Sequence, residues 1–140
     1  MEETSKGFRD EFAFCSNFHP ARVRYEGITY PTVEHAYQAA KTLNLALRRE
    51  IARLSTPGQA KNIGRVIPNI RPDWEQVKLS IMESLVRQKF KHTELRDKLL
   101  NTKSIKLVEY NWWGDTFWGV CESKGENHLG KILMKVRKEL

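Results

Sequence analysis

The segment Glu34-His35-Ala36-Tyr37-Gln38-Ala39-Ala40-Lys41 narrows the structural choices for this chain more than any other stretch. At about 100° per residue in a helix, Glu34, Tyr37, Gln38 and Lys41 share one stripe, with Glu34 and Lys41 two turns apart. Ala36, Ala39 and Ala40 fall roughly opposite, and side chains that small let a neighbouring element come close. The segment is expected to be a helix packed tightly on its alanine side. Its polar side has two readings, a solvated surface or a lined site, and periodicity alone does not separate them. Pro31-Thr32 supplies the start, with Thr32 as N-cap and Glu34 in the first turn, where a carboxylate suits the positive helix end. The helix is expected to run to about Leu43.

Around this helix the pattern alternates between two periods. Residues 8–14, 23–25 and 28–30 read as short strands, and Glu26-Gly27 between the last two is a hairpin turn in which glycine takes a positive φ. Ser55-Thr56-Pro57 has the cap-then-proline pattern of a further helix start, with Gly64 as its end. Arg71-Pro72-Asp73 precedes the longest helical stretch, in which Trp74, Val77, Ile81, Met82, Leu85 and Val86 recur at helical spacing. A short helix is expected over residues 94–100, a β-like run over 105–110, then a loop dense in Trp and Gly. The last helix is amphipathic and carries Leu129, Ile132, Leu133 and Val136. No repeat, low-complexity tract or linker intervenes, so 1–140 reads as one domain of α+β class, mainly helical with a small N-terminal hairpin or sheet, residues 1–7 being a flexible tail.

Composition bounds the function. The chain has 140 residues with 40% hydrophobic and 29% charged, the balance of a globular domain. No run is long and apolar enough for a bilayer span, and the polar start lacks the apolar core of a signal peptide. Two cysteines, Cys15 and Cys121, do not make a disulfide framework and are read as small hydrophobes. A cytoplasmic protein with no membrane association and no obligate protein partner is expected. The net charge of +7 and pI of about 9.5 favour anionic partners such as nucleic acid or phosphorylated ligands. Histidines 19, 35, 92 and 128 lack metal-ligand spacing, so no metal and no cofactor are expected, and His35 reads as structural.

Several further motifs stand at particular points: Ser16-Asn17-Phe18, Ala60-Lys61, Gly64-Arg65, Trp74, Lys89-Phe90, Leu107-Val108-Glu109, Asp115-Thr116-Phe117-Trp118-Gly119 and Asn127-x-x-Gly130-x-x-Leu133-Met134. Together with Glu34-His35-x-x-Gln38-x-x-Lys41 they make the chain resemble the NADAR (YbiA-like) family over nearly its whole length, from Phe8 to Arg137. The resemblance implies an α+β fold and N-glycosidase activity, on riboflavin-pathway intermediates or on ADP-ribosylated guanine in nucleic acid. The chain departs from the family pattern at Val120-Cys121, where another glycine is usual, which bears on the width of the pocket.

Cleaving a bond from ribose C1 to nitrogen builds positive character at C1 and negative charge on the departing base, so a site needs a carboxylate near the sugar and a proton donor near the base. Glu34 is the candidate carboxylate. A lysine amine made neutral by burial can instead attack the ring-opened sugar carbon and form a Schiff base that water hydrolyses. The resemblance assigns that role to Lys41, with Lys89 as second candidate and a phosphate contact or surface charge as the plainer reading of both. Asp115 is the third catalytic candidate, its plainer role being to form a turn. Expected substrate contacts are Asn17 and Gln38 to ribose or base, Lys61, Arg65 and Lys89 to phosphate, Trp74 and Trp118 by stacking, and Gly119 and Asn127 from the loop. The expected substrate is ADP-ribosylated nucleic acid. The alternatives are a phosphorylated ribosylamine metabolite and, from a different class, non-catalytic binding of ADP-ribose or nucleic acid.

Overall fold

The structure is a computed structural model and describes residues 7–140. It is α+β: six α-helices, one 3₁₀ helix and a two-stranded antiparallel sheet among the described residues. Two compact units divide the chain. One is Asn17–Lys89, and the other joins the described residues of Met1–Ser16 to Phe90–Leu140.

In Asn17–Lys89 the hairpin comes first. Strands β1 (Val23–Tyr25) and β2 (Ile28–Tyr30) pair antiparallel with Val23 opposite Tyr30. Glu26 and Gly27 both have positive φ, 44° and 87°, the turn whose twist matches the strands it joins. Helix α1 (Val33–Ala40) follows at once, its N-cap Thr32 accepting from the His35 amide. α1 is the hub of the unit: it packs on both strands and on α2 (Leu45–Ala52), α3 (Pro57–Arg65) and α4 (Trp74–Lys89). Every one of its eight residues is buried. The fully buried Ala36, Ala39 and Ala40 permit that many neighbours at close range.

Helix α1 stops at Ala40, short of the expected Leu43, and arginines take the carbonyls just beyond it. The Arg71 amide donates to Lys41 O at 2.8 Å, and Arg48 Nε donates to Thr42 O at 2.8 Å. The sequence reading missed α2, whose inward face holds only Arg48 and Ile51, too few apolar positions to declare a period. Asn44 was its legible signal, a side-chain N-cap to Leu47 at 3.1 Å. α3 opens with the Thr56 and Gln59 capping box and Pro57 as expected. Gly64 does not terminate it but lies inside it, against α1. The long α4 carries the predicted spacing and docks on the hairpin edge through Gln88, which bonds the Arg24 amide and carbonyl at 2.7 and 2.6 Å.

In the other unit, residues 8–14 are not a strand. They enter a 3₁₀ helix, Asp10–Cys15, behind Asp10 at φ 55°. Phe14 and Cys15 are both buried, and adjacent strand residues would face opposite sides. Of the expected flexible tail, residues 1–6 lie outside the described residues, whereas Gly7 is buried against the main chain of Tyr110. α5 (Thr93–Asn101) and α6 (His128–Glu139) appear where expected. The run 105–110 is not a continuous strand either: Lys106 and Tyr110 are isolated bridge residues, Tyr110 pairing with Val120. Side chains bond the main chain between these bridges. Asn127 Nδ2 donates to Leu107 O, Asn127 Oδ1 accepts from Glu109 N, both at 3.0 Å, and Arg137 donates to Ile105 O at 2.8 Å.

Candidate active site

The polar stripe of α1 lies inside the protein, which removes the solvated-surface reading. Glu34 is 8% and Gln38 6% exposed, and Tyr37 is buried beside them. Such groups are tolerated in an interior only when bonded. Gln38 Nε2 donates to Glu34 Oε2 at 2.7 Å, one helical turn away. The Glu34 amide donates to Asn17 O at 3.1 Å, bringing the loop of Asn17 to the start of the stripe. Asn17 Nδ2 makes a long contact of 3.5 Å to Met82 Sδ, and Asn17 Oδ1 and Gln38 Oε1 are buried acceptors with no hydrogen-bond partner. Gly64 explains the pose of Gln38: a Cβ on Gly64 would collide with the Gln38 amide. Its glycine makes room for the side chain that holds Glu34.

Lys41 caps the C-terminal end of α1 and is half-buried. Burial pushes its ammonium below the ordinary lysine value of 10.5, and the positive charges of Lys78 and Arg65 push it the same way, while Glu34 opposes them. Its Nζ lies 5.7 Å from the centre of the Tyr37 ring, which in turn contacts Trp74 at 5.1 Å. Arg71 fixes the end of the helix, donating to Lys41 O through its amide and to Ala40 O and Tyr25 Oη through its guanidinium. An amine biased toward its neutral form therefore shares a helix face with a clamped carboxylate. That pairing can do either nucleophilic or acid-base chemistry.

The remaining expected residues of this unit divide. Arg65 is exposed, Lys61 holds its ammonium 6.0 Å from the Phe18 ring, and Trp74 is buried and packs on Tyr37. Lys89 is 1% exposed, so Lys41 is the more accessible of the two candidate nucleophiles. His35 is structural. Its Nε2 donates to Leu54 O at 3.0 Å, its Nδ1 stands 2.7 Å from the Thr32 hydroxyl, and burial depresses its pKa.

In the other unit Asp115 forms a turn, the plainer of its two readings. Its Oδ1 accepts from the amides of Phe117 and Trp118 at 3.1 and 2.9 Å. Asn111 clamps the base of the same loop, donating to Asp115 O at 2.9 Å and accepting from its amide at 3.0 Å. Trp118 is half-buried with its edge on Phe117, and its carbonyl accepts from the Leu129 amide at the start of α6. Gly119 is required by close packing, since a Cβ would run into the carbonyl of Glu109. The Asn127 amide is committed to Leu107 and Glu109. Val120 bonds both Glu109 O and the Asn111 amide, so the residue that departs from the family pattern ties the loop to its neighbour run.

Sequence reasoning did not single out Arg71, Lys78 or the packing role of Gly64. Arg71 was legible only as part of a helix start, and the contact of Gly64 with Gln38 joins residues 26 positions apart.

Among known proteins, the model of the NADAR domain matches residues 3–140. The N-glycosidase YbiA of Escherichia coli (strain K12) is 41% identical over 149 residues, covering 100% of this chain and 91% of that protein. A Vibrio vulnificus protein named for riboflavin biosynthesis is 35% identical over 134 residues, covering 94% of this chain but 36% of its own length. The NMR structure of E. coli YbiA superposes with a TM-score of 0.85 at 39% identity, covering 99% of this chain and 86% of that one.

Proposed function

The chain belongs to the NADAR family, and from that premise we propose that it is an N-glycoside hydrolase that removes ADP-ribose from ADP-ribosylated guanine in nucleic acid. Relatives named N-glycosidases, matched over the whole chain, make it a glycosyl-bond hydrolase. The observation that carries the mechanism is that the buried, Gln38-held Glu34 carboxylate shares a helix face with Lys41, a half-buried amine whose pKa is lowered.

In this reading the ribose ring opens at C1 and the neutral Lys41 amine adds there. The C1–N bond to the base breaks, its electron pair leaves with the base, and a proton from the amine reaches that nitrogen. The resulting C1=N bond to Lys41 takes up water, returning the amine and releasing ADP-ribose as the aldehyde, which recloses. Glu34 relays protons between amine, water and departing nitrogen. The cations that Lys41 senses, Lys78 and Arg65, suit the phosphates of such a substrate, as does the net charge of +7. Release of ADP-ribose and unmodified guanine from a modified oligonucleotide, followed by mass spectrometry, tests the reading. Borohydride added during turnover should leave a stable adduct on Lys41.

A second reading rests on the riboflavin-biosynthesis relative: hydrolysis of phosphorylated ribosylamino-pyrimidine intermediates at the same residues. Turnover of those metabolites with none on modified oligonucleotide would select it. Ligand affinity with no product from either substrate would leave only a binding module.

A further inference from the structure

Trp112 and Trp113 stand outside every role described so far. Trp112 is 70% and Trp113 47% exposed. The loop is not loose. Asn111 and Asp115 close it with two side-chain bonds to the main chain, Gly114 turns it at φ 86°, and Asp115 Oδ1 ties its exit to the amides of Phe117 and Trp118. The rings meet edge to face, 4.9 Å apart at 82°. The Arg9 guanidinium lies 5.0 Å from the centre of the Trp112 ring.

We propose that Trp112 and Trp113 form a stacking platform for an unpaired nucleobase of a single-stranded nucleic acid, with Arg9 beside it as the cation for the adjoining phosphate. The inference rests on the nucleic-acid substrate proposed above for the identity of its occupant. A base fits because every base has a π-face, and stacking on an exposed tryptophan needs only a single ring. The cation on the ring and the basic chain match a polyanion. A protein partner fits less well, because two side chains fall far short of the roughly 1,000 Å² that a specific interface needs. The platform would hold an unmodified nucleotide of the strand, adding affinity for a strand over a free nucleoside.

Two measurements test it: anisotropy of a labelled, unmodified single strand about ten nucleotides long, and steady-state kinetics on ADP-ribosylated oligonucleotide and ADP-ribosylated guanosine. Trp112→Ala and Trp113→Ala should each weaken strand binding about tenfold and raise KM for the modified oligonucleotide by a similar factor. They should leave kcat, and KM for the modified nucleoside, unchanged. Trp112→Phe, which keeps a π-face, should restore most of the affinity, and unchanged thermal midpoints show that the variants fold. Equal strand affinity in wild type and both alanine variants overturns the platform, as does a wild type that binds neither DNA nor RNA strands. The two readings separate cleanly. Trp112-dependent strand binding without ADP-ribose release keeps the platform and removes the glycohydrolase, whereas release with tryptophan-independent affinity does the reverse.

Discussion

Helix α1 and the loop 109–119 hold similar chemical groups, a carboxylate, an amide and aromatic rings, but spend them differently. On α1 the backbone needs no side chain of Glu34 or Gln38, so Gln38 can donate to the Glu34 carboxylate. In the loop the backbone has no ladder, and Asp115, Asn111 and Asn127 satisfy it. The Glu34 carboxylate is thus held by a side chain, whereas that of Asp115 is consumed in making the loop.

The largest expected effect on this contrast is at Lys41. Lys41→Ala should lower kcat by on the order of 10⁴-fold, the scale for a group that forms a covalent intermediate, with little change in unfolding midpoint. Full activity would end the Schiff-base route. Glu34→Gln should cost roughly 10³-fold, as loss of a positioned proton carrier does. It should also move the acidic limb of the pH–rate profile, where the amine becomes protonated, to lower pH, because Glu34 holds the Lys41 pKa up, whereas Lys78→Met should move it higher. A limb indifferent to both would mean that the amine does not titrate in catalysis.

On the loop side the readout is stability. Asn127→Ala removes bonds to Leu107 and Glu109 and leaves one buried and one part-buried backbone group unpaired, which should cost about 2–4 kcal/mol in denaturant unfolding. Asp115→Asn keeps an acceptor at Oδ1 and should change kcat less than about threefold, against at least 10-fold for a general acid or base. A loss matching that of Glu34→Gln would erase the distinction between the two regions.

The smallest effect is the pH dependence of folding through His35. Its pKa is lowered in the folded protein by burial, so the unfolded chain binds the proton more readily. The stabilisation is complete above the unfolded value of about 6.5 and is lost as pH falls below it and through the folded value. His35→Gln should flatten stability across that window, visible in thermal midpoints between neutral and mildly acidic pH.

Where side-chain chemistry acts on the nearest backbone, the sequence could be read directly. Thr32, Pro57 with its capping box and the Glu26-Gly27 turn are local devices, and the helices and hairpin they start stand where expected. Residues 8–14 and 105–110 were misread because their burial follows no period: Phe14 with Cys15, and Leu107 with Val108, are adjacent and both buried. α2 was missed because its core contribution is an arginine and a single isoleucine.

The sequence by itself determined the family, the α1 stripe and the pairing of Glu34 with Lys41 on one face, since helical geometry needs only the spacing of residues along the chain. Tertiary structure alone decided that this stripe is buried, that Gly64 makes room for Gln38, and that Lys78, Arg65 and burial depress the Lys41 amine. It decided equally that Asp115 is bound to its own loop. Desolvation and charge coupling depend on neighbours distant in the chain, which no local pattern can encode.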